Sequence, residues 1–185
     1  MMTEKEKMLS GLLYDASDKE LLEARRNARM LFEEFNKTSV TESKKRKEIA
    51  EKLFGRCGKK LYIEPTFKCD YGFNIEFGDN VYINFDCIIL DCAKVRIGDN
   101  CLIAPQVGIY AATHPTSLEE RMSGLEYARE VVIGNNCWIG GHSTICPGVT
   151  LGNNVVVAAG SVVTKCFGDN VVIGGNPAKI LRENI

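Results

Sequence analysis

The sequence predicts a mainly β protein, a parallel β-helix of hexapeptide repeats preceded by a helical segment and interrupted by one inserted loop. Three observations predict it. Aliphatic residues recur every six positions at Ile133, Ile139, Ile145, Leu151, Val157 and Val163, whereas a strand repeats every two residues and a helix every 3.6. One corner tetrapeptide recurs as Phe77-Gly78-Asp79-Asn80, Ile97-Gly98-Asp99-Asn100, Ile133-Gly134-Asn135-Asn136, Leu151-Gly152-Asn153-Asn154 and Phe167-Gly168-Asp169-Asn170. The register then breaks once, between Ile109 and Ile133.

Residues 1–58 read as the helical segment. Ser17-x-x-Glu20 has the form of a capping box, and Leu21, Ala24, Ala28, Leu31 and Phe35 follow one helical face as far as Asn36. Ser39-x-x-Glu42 opens a second, shorter helix with Ile49, Ala50, Leu53 and Phe54, which stops near Gly55. The basic run Lys44-Lys45-Arg46-Lys47 is expected on a solvated face of that helix. From about Tyr62 the pattern changes to β-branched and aromatic residues punctuated by Gly, Asp and Asn, so residues 59–185 read as the β-helix. Three hexads make an 18-residue coil. The Asn closing each corner tolerates the left-handed backbone a tight turn requires. Ile97, Ile103 and Ile109 form one coil, but the next begins at Ile133, so one coil's worth of chain is inserted. Residues 113–130 are polar, charged and without the six-residue rhythm, and are expected to project as a loop. Long loops on rigid scaffolds tend to carry function.

The chain of 185 residues has a formal charge of −1 and 45% hydrophobic composition, as one ordinary globular core with an appendage requires. That balance gives no electrostatic footprint for nucleic acid. The charged start MMTEKEKMLSG lacks a signal-peptide core, and no later stretch is apolar enough for a membrane span, so a cytoplasmic protein without a membrane partner is expected. None of the 8 cysteines forms a C-x-x-C pair, and reduced thiols are expected. Cys101 and Cys137 each follow the aliphatic residue of their hexad by four, a slot filled elsewhere by Val155 and Ser161, and read as interior packing residues.

The chain has 2 histidines. His114, in Ala112-Thr113-His114-Pro115, stands at the base of the insertion. From position alone it is either a general base, for which imidazole is suited at neutral pH, or a residue that caps a strand end. His142 occupies a corner slot usually filled by Asn and reads as a turn residue. The three-imidazole set of a catalytic zinc is lacking, so no metal is expected.

With the repeat, the insertion and His114 in place, the chain closely resembles the maltose and galactoside O-acetyltransferases of the hexapeptide acyltransferase superfamily. The resemblance covers nearly all 185 residues. It includes Leu13-Tyr14-Asp15, the stretch from Arg25 to Asn36, Tyr82-Ile83-Asn84-Phe85, Ile89-Leu90-Asp91, Ile103-Ala104-Pro105 and Ala112-Thr113-His114-Pro115. Further on it includes Gly124-Leu125-Glu126-Tyr127-Ala128, Trp138-Ile139-Gly140-Gly141, Pro147-Gly148-Val149-Thr150-Leu151-Gly152 and Gly175-Asn176-Pro177-Ala178.

The resemblance implies a left-handed β-helix, a homotrimer with active sites between neighbouring prisms, acetyl-CoA as donor and a small-molecule sugar as acceptor. His114 is implied as the general base in a direct transfer. Asn84 is implied at the reacting centre, with Asp15, Asp70, Asp91 and Glu126 lining the sugar pocket; Asp91 alternatively reads as a turn aspartate. The Gly141 N–H is implied as oxyanion donor. Ala159, Thr164 and Lys165 are implied along the pantetheine arm, and Lys179 and Arg182 near the nucleotide phosphates, where the alternative is a solvated tail. Asp70 stands where galactoside enzymes commonly have Ser, and the run containing Glu126 is closer to the maltose branch. The chain stops at Ile185 without the longer tail of some galactoside enzymes. Glu126, outside the repeat, is expected to have no part in folding. A non-sugar acceptor such as an antibiotic, and a non-catalytic β-helix assembly subunit, are the rival readings.

Overall fold

A computed structural model describes residues 1–184; Ile185, the last residue of the expected β-helix, lies outside the described residues. Short strands stack in three parallel sheets that form the faces of a left-handed prism of about 6 turns. The first face holds Ile75–Phe77, Val95–Ile97, Val131–Ile133 and Thr150–Leu151. The second runs from Tyr62–Ile63 through Tyr82–Ile83, Leu102–Ile103, Trp138–Ile139 and Val156–Val157 to Val171–Gly175, and the antiparallel strand Ala178–Glu183 closes it. The third contains Lys68–Cys69, Ile88–Leu90, Gly108–Tyr110, Thr144–Ile145 and Val162–Val163.

The six-residue period sets the core. Successive coils place like residues in register, so that Ile97 lies beside Ile133, Ile103 beside Ile139 and Ile109 beside Ile145, all fully buried. Their burial is the main stabilising term, because each side chain leaves water for a stack of its own kind. Asn80, Asn100, Asn136, Asn154 and Asn170 all have φ between 55° and 58°, the left-handed conformation expected at the first corner. A ladder reinforces this corner: the backbone N–H of Asp79, Asp99, Asn135 and Asn153 each donates to the side chain of the equivalent residue one coil on. Glycine is required beside them because the coils nearly touch. A Cβ on Gly134 would lie 2.5 Å from the Gly152 carbonyl oxygen.

The coil length is less regular than the hexads suggest. The 18-residue coil holds between Asn135 and Asn153, and the insertion makes 36 between Asp99 and Asn135. The preceding coils have 20 residues and the last has 16. The extra residues fall at the third corner, where Asp91 replaces a simple hexad turn with a hydrogen-bonded one. At the insertion, Ala112–Thr113 pairs antiparallel with Tyr127–Ala128, so the expected loop begins as a ribbon before reaching a short helix, Leu118–Met122.

Three helices, one more than expected, precede the prism: α1 (Glu4–Leu9), α2 (Lys19–Lys37) and α3 (Ser43–Leu53). Thr3 and Glu6 form the complete capping box of α1. The expected box at Ser17 is not formed. Asp18, one residue nearer the helix, accepts from the N–H of Glu20 and Leu21, while Asp15 holds Ser17. Ser39 donates its N–H to Glu42, half of a box, but that turn precedes α3 and does not open it. Arg46 is the exception in the basic run: it is buried over the Phe35 ring and donates to Thr38 Oγ1 and the Ile63 carbonyl. With Arg25, which donates to Tyr71 Oη and the Ala16 carbonyl, and Asn36, which pairs with the Phe67 backbone, it anchors the helices on the prism.

Candidate active site

His114 follows the ribbon strand Ala112–Thr113 at the third corner, with Pro115 buried behind it and its own side chain 61% exposed. Its Nε2 lies 3.6 Å from Glu126 Oε2, and the Glu126 side chain is only 17% exposed. The antiparallel pairing of the ribbon brings Glu126 back to His114, although twelve residues separate them in sequence. Glu126 is also tied to the helical segment. Its backbone exchanges two hydrogen bonds with Tyr14, at 3.0 and 3.2 Å, and its Oε1 accepts from Tyr14 Oη at 2.7 Å. The expectation that Glu126 has no part in folding is therefore corrected: it fastens the insertion to the helical segment.

Beside this contact, Asp70 is half-buried, and the Cys92 thiol donates to its Oδ2 at 3.4 Å. Burial pushes the Asp70 carboxyl above the ordinary carboxylate range, the nearby Glu126 adds to the shift, and the Arg25 guanidinium opposes it. Asp91 is fully buried. Its Oδ1 accepts from the N–H of Asp70 and Tyr71 and its Oδ2 from the N–H of Asn74, so the carboxylate holds the turn on which Asp70 sits. Burial pushes it up to about 7 despite these donors. This is the turn-aspartate arrangement, with no exposed face for a ligand. Asp15 is exposed, and its Oδ1 accepts from both Ser17 N–H and Ser17 Oγ.

Sequence reasoning missed Tyr14 and Cys92. Tyr14 is the second residue of a family motif, but nothing in its spacing signals contact with residue 126, and Cys92 reads as one more packing thiol. In the fold Cys92 donates to Asp70, Tyr14 donates to Glu126, and Glu126 faces His114.

The remaining expected residues lie elsewhere. Asn84, Gly141 and Ala159 stand at the second corner, between the second and third faces. Asn84 Oδ1 accepts the Phe85 N–H, and among the described residues no acceptor takes the Gly141 N–H. The corner is tight there: a Cβ on Gly141 would sit 3.2 Å from the Pro105 carbonyl oxygen, and His142, with φ 58°, donates its N–H to that same oxygen at 3.0 Å. His142 is a turn residue. Thr164 and Lys165 are exposed at the third corner, the corner of His114, with Lys165 Nζ over the Phe167 ring. Lys179 and Arg182 are exposed on Ala178–Glu183, at the end of the second face. Within one chain a strand of the third face separates the two corners, on the order of 15 Å. Among the described residues no group of three His, Cys, Asp or Glu is placed to hold a metal ion, and no helix is long and apolar enough to cross a membrane.

A family profile described as "Maltose acetyltransferase hexapeptide capping motif" matches residues 7–58, and "Hexapeptide repeat of succinyl-transferase" matches residues 130–165. The structure of a maltose O-acetyltransferase from Clostridium difficile 630 superposes with a TM-score of 0.97 at 49% identity, covering 98% of this chain and 97% of that one. A galactoside acetyltransferase in complex with coenzyme A superposes with a TM-score of 0.96 at 40% identity, covering 100% of this chain and 92% of the other. The galactoside O-acetyltransferase of Escherichia coli K12 is 41% identical over 178 residues, 96% of this chain and 88% of that protein. Identity of this order along nearly the whole of both chains, on the same left-handed prism with its helical cap, shows that this chain is an acetyltransferase belonging to the maltose and galactoside O-acetyltransferase family.

Proposed function

We propose that the chain transfers an acetyl group from acetyl-CoA directly to a hydroxyl of a sugar acceptor, with His114 as the general base. One observation carries the reading: in a chain whose other histidine is spent on a turn, His114 stands exposed at the base of the insertion, facing a carboxylate at 3.6 Å. Acetyl-CoA supplies the activated acyl thioester. His114 removes the proton from the attacking hydroxyl and returns it to the departing sulfur, so the base is regenerated without a covalent acyl-enzyme. The Gly141 N–H, which no protein acceptor takes, is available to the charge developing on the acyl oxygen. That free donor, on a corner where a side chain would crowd Pro105, is the feature of this chain that fits the donor's thioester end. Ala159, Thr164 and Lys165 follow the donor's arm, with Lys179 and Arg182 toward its phosphates. Asp15, Asp70, Asn84 and Glu126 face the sugar, and Asp91 acts behind Asp70. Carboxylates suit polyols because each accepts several hydrogen bonds. The donor and the unpaired thiols fit a cytoplasmic protein.

A site shared with a neighbouring copy belongs to the same reading, in the trimer that the family resemblance implies. Asn84 and Gly141 are on one corner and His114, Thr164 and Lys165 on another, so a neighbouring prism must supply one half of a complete site. The run containing Glu126 favours a glucosyl acceptor.

Free thiol release from acetyl-CoA, followed across maltose, glucose, a thiogalactoside, glucosamine and chloramphenicol, tests the acceptor. A glucosyl or galactosyl acceptor is expected to give the highest kcat/KM; chloramphenicol at the top would move the chain to an antibiotic acceptor. His114→Ala is expected to lower kcat about 10²- to 10⁴-fold with acetyl-CoA binding retained. A variant keeping more than half of wild-type kcat removes His114 from the mechanism.

A further inference from the structure

We propose that Tyr14, carried by the helical segment, is a positioning residue for the reaction: it fixes Glu126, and Glu126 fixes the tautomer of His114. The inference rests on the reading of His114 as the base and deepens it.

Tyr14 is fully buried, and its backbone and side chain both engage one residue of the insertion. The two backbone hydrogen bonds set the register of Glu126, and the hydroxyl donates to Glu126 Oε1. Burial pushes the Tyr14 phenol well above its ordinary range, so it remains a donor. With Oε1 taken, the free oxygen Oε2 is the one that faces His114 Nε2. At 3.6 Å the contact is wider than a hydrogen bond, and rotation of the exposed imidazole closes it; such contacts commonly tighten only with substrate bound. An ionised carboxylate only accepts, so the ring proton it selects is Nε2–H, which leaves the Nδ1 lone pair free to take a proton from the sugar. The helical segment thus does more than cover the end of the prism. It determines which nitrogen of the base is available, and its hold on Asp15, whose N–H donates to Glu4 Oε2 at 2.6 Å, keeps the Tyr14–Glu126 bridge in place.

Two variants separate this from a structural role. Tyr14→Phe keeps the ring and the backbone pairing and removes only the hydroxyl. Glu126→Gln keeps the shape, but its amide oxygen takes the Tyr14 proton and its NH₂ then faces His114, which forces Nε2 to accept and moves the ring proton to Nδ1. In full-length protein with ¹⁵N-labelled histidine, where His142 is the only other signal, wild type is expected to show His114 as the Nε2–H tautomer at a pH where the ring is neutral. Glu126→Gln is expected to show Nδ1–H, and Tyr14→Phe a mixture. Both are expected to lose kcat, by about tenfold or more, with KM for acetyl-CoA unchanged. Wild-type tautomer and kcat in both variants overturn the proposal, as does a raised sugar KM with unchanged kcat in Glu126→Gln, which would leave sugar binding as the whole of the part Glu126 plays. If Tyr14→Phe does not fold, Glu126→Gln decides alone. Activity surviving in His114→Ala sinks the reading of the base itself; an inactive His114→Ala beside wild-type behaviour in the other two sinks only the positioning role.

Discussion

Asp91 sets two residue-scale effects against each other. Three backbone N–H groups favour its ionised form, while complete burial disfavours it, and burial wins, leaving the group near 7. An aspartate in the unfolded chain titrates at about 3.9, so the folded state holds this proton more tightly. The group's contribution to stability is therefore fully present below about pH 4 and is lost as the pH rises through about 7. Asp91→Asn removes this dependence, and because one amide end cannot accept from Asn74 it costs about 1–3 kcal/mol. Thermal melts are expected to show a larger advantage of wild type over the variant at pH 5 than at pH 8; a constant difference would show that Asp91 does not titrate in this window. At this scale the sequence was partly legible. His114 stood out because so few histidines compete with it, whereas the choice between a pocket and a turn for Asp91 depended on Asp70, Tyr71 and Asn74, about 20 residues away in sequence.

At the scale of elements, the hexad register makes a sharp statement about the thiols. Cys101 and Cys137 occupy adjacent coils in the buried slot, and each donates to a carbonyl of the next coil, Gly134 at 3.1 Å and Gly152 at 3.2 Å. Cys166 is exposed at the third corner. Native protein treated with a maleimide and mapped by mass spectrometry is expected to label Cys166 first and to leave Cys101 and Cys137 free until it is denatured. Rapid labelling of either one would mean that the coil opens at that slot. The helices were less legible, because capping is a local competition. Ser17-x-x-Glu20 has the right letters, but Asp18 lies nearer the helix and Asp15 captures the serine, while Thr3-x-x-Glu6, with the same letters, forms its box.

For the whole molecule, the faces of the prism differ in chemistry. Tyr62, Tyr82, Leu102, Trp138 and Val156 are neighbours in register on the outer side of the second face, with the two tyrosines stacked at 5.8 Å and Trp138 53% exposed. The outer side of the first face carries Glu76 and Arg96, bridged to each other and to Lys94 and Glu130. We propose that this apolar ladder packs against another copy, in a head-to-tail contact that closes after three into a ring. Sedimentation velocity is expected to give a trimer, and Trp138→Lys to shift it toward monomer with activity falling in parallel on dilution. A monomer of undiminished activity would rule out a site shared between chains.

The sequence by itself determined the prism, its corners and the place of the insertion, because a repeat writes each contact many times: every coil meets a near copy of itself, so period alone gives neighbour, face and burial. It also drew attention to His114 by scarcity. Only the tertiary structure decided which residues surround that histidine. Tyr14 comes from the helical segment, Asp70 and Cys92 from third corners that depart from the hexad spacing, and Glu126 from the insertion, and contacts between such irregular segments leave no period to read. The same reason explains why the 20- and 16-residue coils and the third helix emerged only from the fold: each is set by a single local arrangement of hydrogen bonds.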